Sequence, residues 1–187
     1  MTDFKVLGIS GSLRAGSLNT ALLRAAQKFA PDGVDISIYE GLADLPWYDG
    51  DLDTPENLPA QARRLREEIA AHDGLLIATP EYNYSIPGGL KNAIDWASRP
   101  SATSVLLHKP IAIMGAAPTN FGTVRAQLAL RQVFVWTHSD VVVKPEVMAF
   151  RAHERFDEGA NLIDDDTIKL VQGLLDALKA KMENPAR

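Results

Sequence analysis

Five apolar runs of strand length, alternating with segments of helical period, predict an α/β protein, a three-layer sandwich with a parallel sheet in the middle. Two further observations support this. Residues 74–79 (GLLIAT) are almost wholly apolar, as a parallel strand covered on both faces tends to be. The chain of 187 residues, 46% hydrophobic and 23% charged, suits one domain with a sizeable core and an ordinary polar surface.

The elements follow in order. Residues 4–10 (FKVLGIS) read as a buried strand, followed by a Gly/Ser-rich turn. From Ser17, the spacing of Leu18, Leu22, Ala25 and Phe29 predicts a helix with one apolar face. Residues 34–39 (VDISIY) alternate as a second strand, and a long turn occupies 41–57. Leu58, Ala62, Leu65 and Ile69 mark the next helix, which leads into the third strand at 74–79. After the loop PEYNYSIPGG, a helix over 90–100 closes at Arg99-Pro100. Residues 110–115 (PIAIMG) form a fourth strand, 122–135 a helix, and 141–143 the core of a fifth strand. Ile168, Val171, Leu174, Leu175, Leu178 and Met182 mark the closing helix, and Asp164, Asp165 and Asp166 are expected to cap it. No repeat or linker divides residues 1–187. Five strands in a chain this short favour the flavodoxin-like order 2-1-3-4-5 over a six-stranded dinucleotide fold. Ligands of such sheets sit beyond the carboxyl ends of the strands, which directs attention to loops 10–19, 40–57, 79–89 and 115–123.

Charge and composition exclude several functions. With 19 Lys+Arg against 24 Asp+Glu, the net charge of −5 is wrong for a general nucleic-acid binder. The absence of cysteine removes disulfides, thiolate metal sites and cysteine catalysis. The histidines at 72, 108, 138 and 153 form no short metal-ligand pair, so no metal site is expected. The first ten residues do not read as a signal peptide, and no apolar run approaches a membrane span, so a cytoplasmic location is expected.

Residues 10–20 (SGSLRAGSLNT) place Gly11 and Gly16 among serines at the mouth of a helix. Free N–H groups at a helix start attract anions, and Ser12, Ser17, Asn19 and Thr20 can donate as well. Arg14 adds the loop's one full positive charge, in a fork that suits phosphate. The same residues also suit a capped turn that binds nothing. Neither the Walker sequence nor GxGxxG is present. Glu40, past the second strand, sits where a ribose-binding acid would, although an ordinary loop carboxylate is the plainer reading.

In the loop after the third strand, Pro80 forces extended geometry on Thr79, so that strand must end sharply. Glu81, Tyr82, Asn83 and Tyr84 then offer two aromatic rings, an amide and a carboxylate. These suit a flat heteroaromatic ligand, or else a tyrosine-rich turn packed on its own helix. The run Asp49, Asp51 and Asp53 is no calcium loop, because Thr54 and Ala60 replace the required glycine and glutamate. It reads as a solvated loop whose functional members are Trp47 and Tyr48. Arg125 and Arg131 share one helix, which reads either as a solvated face or as a partner for acids such as Glu146 in another subunit.

Together, GSLRAGSLN and TPEYNYSIPGGLKNAIDW resemble the NAD(P)H-dependent FMN reductases of flavodoxin-like fold, more closely their quinone and chromate reductase branch. The likeness extends to LPWYDGDLD and GTVRAQLALRQV, nearly the whole chain. The resemblance implies that Ser12, Arg14, Ser17, Leu18 and Asn19 hold the FMN phosphate, with Leu13 and Gly16 in the same loop. It places Pro80, Glu81, Tyr82, Asn83 and Tyr84 around the isoalloxazine ring. Where many relatives present serine after the fourth strand, this chain has Gly115-Ala116-Ala117, which leaves only backbone contacts at those positions, Ala117 among the residues expected to meet the flavin. It further implies NADPH or NADH as donor, ping-pong two-electron reduction of quinones and other small electrophiles (chromate, azo or nitro compounds, free flavin), and a homodimer or homotetramer. No protein nucleophile or general base is expected. The alternatives are a flavodoxin-type electron carrier and a phosphate-ligand module that holds no flavin.

Overall fold

The computed structural model describes residues 4–185. Its strands are β1 (Phe4–Ser10), β2 (Val34–Ile38), β3 (Gly74–Ala78), β4 (Pro110–Ala116), β5 (Asp140–Val141) and β6 (Val147–Ala149). Its helices are α1 (Leu18–Lys28), α2 (Ala60–Ala71), α3 (Gly88–Ala97), α4 (Val124–Trp136) and α5 (Asp165–Glu183). The strands run parallel in the order β2-β1-β3-β4-β5, the expected order.

Layering follows from apolar pattern. β3 and β4 are buried at every position, so each supplies side chains to both faces. Val6, Leu76 and Met114 pack beneath α1 and α5 with Leu22 and Leu174. Leu7, Ile77 and Ile113 point the other way, toward Leu65, Trp96 and Phe134 of α2, α3 and α4. Alternate residues of one strand thus build two separate cores.

The carboxyl end of the sheet departs from expectation. The fifth strand was expected at 141–143, but β5 pairs only Asp140 and Val141 with Pro110 and Ile111. The chain then leaves the sheet and returns as β6, which pairs with Met114, Gly115 and Ala116. Pro145 lies between the two, and a proline has no N–H to continue a ladder. The three-residue strand beyond it is too short to show a period.

Asp164 caps α5 as expected, its side chain accepting the Thr167 N–H at 2.8 Å. The Thr167 hydroxyl also donates to it and, ahead of the backbone bond and Arg155, holds the carboxyl below its ordinary range; partial burial works the other way. Replacing Asp164 with alanine is expected to cost about 1 kcal/mol. Because the folded pKa is depressed, the contribution is complete above the unfolded value near ~4 and fades as pH falls through the folded one. Urea melts at neutral pH and near pH 2 check both halves: the variant's deficit should shrink in acid.

Candidate functional site

At the carboxyl ends of β1, β3 and β4, three loops meet above the start of α1. Gly11 allows the approach: its N–H donates to the Ala78 carbonyl at 2.8 Å, and a Cβ there would lie 3.0 Å from both Leu90 and Pro80. The loop then folds on itself, the Arg14 carbonyl accepting the Ser17 N–H at 3.1 Å. Ser17 caps α1 through its hydroxyl, which accepts from the Thr20 N–H at 3.2 Å.

Asn19 has another task. It is buried, donating to the Ala116 carbonyl at 3.0 Å and accepting the Ala116 N–H at 2.9 Å. Its side chain fastens the first turn of α1 to the end of β4, so an anion at this helix start meets its backbone N–H. Gly115 makes the neighbouring corner possible, since a Cβ there would come within 1.9 Å of the Thr123 hydroxyl oxygen.

The loop after β3 is a two-residue hairpin. Tyr82 and Ser85 exchange backbone hydrogen bonds at 3.2 and 3.0 Å, and Asn83 and Tyr84 both have positive φ, 48° and 66°. Pro80, Glu81 and Tyr82 therefore line the cleft, while Asn83 and Tyr84 stand at the hairpin tip outside it. The Arg125 guanidinium lies 3.7 Å from the Tyr84 ring centroid.

The Glu81 carboxylate is already engaged. Its side chain is 7% exposed, forms an ion pair with Arg125, and accepts the Arg125 Nε–H at 2.6 Å. It also accepts the N–H groups of Arg125 and Ala126 at 2.9 and 3.3 Å, the first turn of α4. Thr123, the residue before α4, makes no side-chain cap, so Glu81 supplies one from another loop. Arg125 accordingly belongs to no solvated face, and its acid lies in its own chain. Arg131 likewise turns inward, donating to the Val142 carbonyl at 2.8 Å, with Glu146 of the same chain 4.0 Å away.

The cleft encloses about 560 Å³. Of the residues singled out in the sequence, it brings together Ser12, Arg14, Gly16, Ser17, Leu18, Asn19, Pro80, Glu81, Tyr82 and Ala117; Leu13, Asn83 and Tyr84 are not among its lining. Ala116, in the third loop the sequence pointed to, lines it too; sequence reasoning missed Pro118, His153, Phe156, Asp157 and Glu158. The last four come from the segment after β6, which the Ala152 N–H and Arg151 N–H bind to the carbonyls of Ala117 and Thr119 at 3.0 and 2.9 Å. The chain after a fifth parallel strand also emerges at the carboxyl edge, and that rule could have pointed here. Asp157 is held below the usual carboxylate range by the Asn161 side-chain amide, then by the Asn161 N–H.

Loop 40–57 serves structure more than the cleft. The Pro46 carbonyl accepts from Asn92 Nδ2 at 2.9 Å and Trp96 Nε1 at 2.8 Å. Tyr48 packs edge-on against Trp96 at 4.9 Å, whereas Trp47 is 75% exposed. Asp53, expected to be solvated, is nearly buried, both its oxygens accepting from a single Arg66 terminal nitrogen at 2.8 and 2.9 Å while the Arg66 Nε–H donates to the Trp96 carbonyl at 2.8 Å. None of these residues is among the cleft lining. No helix among the described residues is long and apolar enough to cross a membrane, and no group of three or more His, Asp or Glu among them is placed to hold a metal.

Comparison with known proteins gives a consistent result. A family model described as NADPH-dependent FMN reductase matches residues 4–154. An NAD(P)H-dependent FMN reductase of Pseudomonas aeruginosa is 48% identical over 177 residues, 95% of this chain and 94% of its own length. A quinone reductase of Escherichia coli is 40% identical over 174 residues, 92% of each chain. The structure of FerB, a flavoenzyme NAD(P)H:(acceptor) oxidoreductase from Paracoccus denitrificans, superposes with a TM-score of 0.87 at 34% identity, covering 98% of this chain and all of that one.

Proposed function

Because the chain belongs to the NADPH-dependent FMN reductase family, we propose that residues 1–187 form one domain that binds FMN and passes electrons from NAD(P)H to quinones. One observation carries the reading: the cleft lies at the carboxyl ends of the neighbouring strands β1 and β3, whose following helices α1 and α3 pack on opposite faces of the sheet, with the start of α1 as its anion-binding end.

The residues fit such a cofactor. About 560 Å³ is within the ordinary range of cofactor sites. The first-turn N–H groups of Leu18 and Asn19 have no helical acceptor, and with the Ser12 and Ser17 hydroxyls and Arg14 they form a monophosphate donor set. Pro80, Tyr82, Ala116 and Ala117 present flat or small surfaces beside it, suited to a planar ring. Bound FMN supplies hydride acceptance and two-electron delivery. The chain supplies position: Asn19 holds the phosphate loop against β4, and the hairpin at 82–85 fixes Tyr82 at the rim. Glu81 acts through its backbone there, since its carboxylate is spent on α4. Leu13, Asn83 and Tyr84 are available to cover the ring's open side or meet the acceptor. A ping-pong cycle follows if donor and acceptor use that open side in turn, and chromate, azo and nitro compounds could enter it as well as quinones. The domain works in the cytoplasm.

Purified protein should be yellow, with FMN released on denaturation, and should oxidise NADPH or NADH only when menadione or another acceptor is present. A colourless preparation that retains no FMN after incubation with it and removal of the free flavin would refute the assignment. Bound FMN without nicotinamide turnover would point instead to an electron carrier.

The oligomer, a homodimer or homotetramer, is supported by α4, whose outer face exposes Leu128, Val135 and Trp136 beyond an exposed Phe121. Leu128 and Val135 are two turns apart on one stripe. The double substitution Leu128→Glu and Val135→Glu is expected to sediment as monomer where the parent is at least a dimer; an unchanged sedimentation coefficient would remove α4 from the interface.

A further inference from the structure

A second groove lies on the other side of the β1–α1 loop, beyond the carboxyl end of β2, and encloses about 560 Å³ as well. Ser12 borders both it and the flavin cleft. One wall is α1, where Thr20, Arg24 and Gln27 follow each other at helical spacing on one side. The opposite wall is the chain leaving β2, with Tyr39 and Glu40.

Its chemistry is specific. Arg24 and Glu40 are both exposed, and neither makes an ion pair or side-chain hydrogen bond among the described residues. Gln27 donates to the Ile36 carbonyl at 2.7 Å, which holds its amide in place and leaves its oxygen as an acceptor. The groove therefore offers one carboxylate, one guanidinium and one fixed amide oxygen. Glu40, an acceptor-only carboxylate at the edge of this groove, can take hydrogen bonds from the vicinal hydroxyls of a ribose. The Arg24 guanidinium, on the wall of the same groove formed by α1, suits a phosphate on that ribose.

The geometry points to this groove as the subsite for the adenosine ribose of the pyridine nucleotide, an inference that rests on NAD(P)H being the electron donor. Glu40 accepts from the 2′- and 3′-hydroxyls of NADH. Arg24 receives the 2′-phosphate of NADPH, offsetting the repulsion Glu40 exerts on it. The two side chains thus oppose each other in donor choice, and both donors are accommodated.

The test separates this inference from the flavin assignment. FMN-loaded protein is titrated calorimetrically with 2′,5′-ADP and with 5′-ADP, and steady-state rates are compared for NADPH and NADH. Arg24→Ala should weaken 2′,5′-ADP about tenfold and lower the NADPH/NADH ratio of kcat/KM by a similar factor. Arg24→Lys should recover part of that loss, because the charge stays and the fork goes. Glu40→Gln should raise the same ratio severalfold by removing repulsion from the 2′-phosphate. FMN affinity should be unchanged in all three. If 2′,5′-ADP affinity and the kcat/KM ratio stay within about twofold of the parent in Arg24→Ala and Glu40→Gln, the subsite is elsewhere. Should the protein take up FMN but show no turnover, the titrations still decide the groove while the reductase reading fails.

Discussion

Arg14→Ala is expected to weaken FMN binding by about 10- to 30-fold while leaving riboflavin binding near its parent value. Arg14 is the sole Lys or Arg of the cleft lining, where Asp157 and Glu158 also stand. Helix-terminal N–H groups and hydroxyls orient a phosphate but carry only partial charge, so a dianion loses its one full counter-charge with Arg14. The arginine is exposed and screened by water and salt, which keeps the effect well below that of a buried pair. Arg14→Lys should fall between the two, retaining charge without the fork. Fluorescence titration of apoprotein with FMN and with riboflavin measures the difference directly. Equal losses for both ligands would mean that Arg14 shapes the loop and does not hold the phosphate.

Much of this architecture is written in local pattern. Continuous apolarity marks β3, helical spacing marks α1 and α5, and handedness of the crossovers then leaves few orders for five strands. The phosphate loop is legible for a similar reason, since glycines, serines and an arginine at a helix start act within a few residues of one another. What stayed hidden depends on distance. His153, Phe156, Asp157 and Glu158 reach the cleft only because β6 returns to β4 beyond Pro145, and three residues cannot announce a strand. Tyr84 was expected beside the ligand on its chemistry, but Asn83-Tyr84 is a tight hairpin tip without the glycine that signals one. Asn19 showed a donor in its sequence and spends it 97 residues away, on Ala116. Trp47 and Tyr48 were chosen as aromatic residues in a promising loop, and Tyr48 instead joins the Asn92 and Trp96 anchor.

Glu81→Ala should be the most destabilising change at the cleft, at about 2–3 kcal/mol, because three consequences arise together. The nearly buried carboxylate is lost from the first turn of α4, so the Arg125 and Ala126 N–H groups lose their acceptor. Arg125, 30% exposed, loses its counter-charge, although partial hydration softens that loss below the cost of a fully buried orphan. The guanidinium is then free to leave Tyr84, and the hairpin tip loses the cation that covers it. Glu81→Gln separates the contributions. Its amide oxygen still accepts from the helix N–H groups, but the charge is gone, so it should cost clearly less than alanine. Arg125→Ala tests the same pair from the other side, leaving the Glu81 cap of α4 in place. A double-mutant cycle of Glu81→Ala with Arg125→Ala should show coupling of about 1 kcal/mol or more. If the two changes are additive, the ion pair contributes nothing and the cap alone explains the loss. Flavin content provides the functional readout: Pro80 and Tyr82 flank Glu81, so a loosened α4 start should raise the FMN dissociation constant even though the carboxylate touches no cofactor.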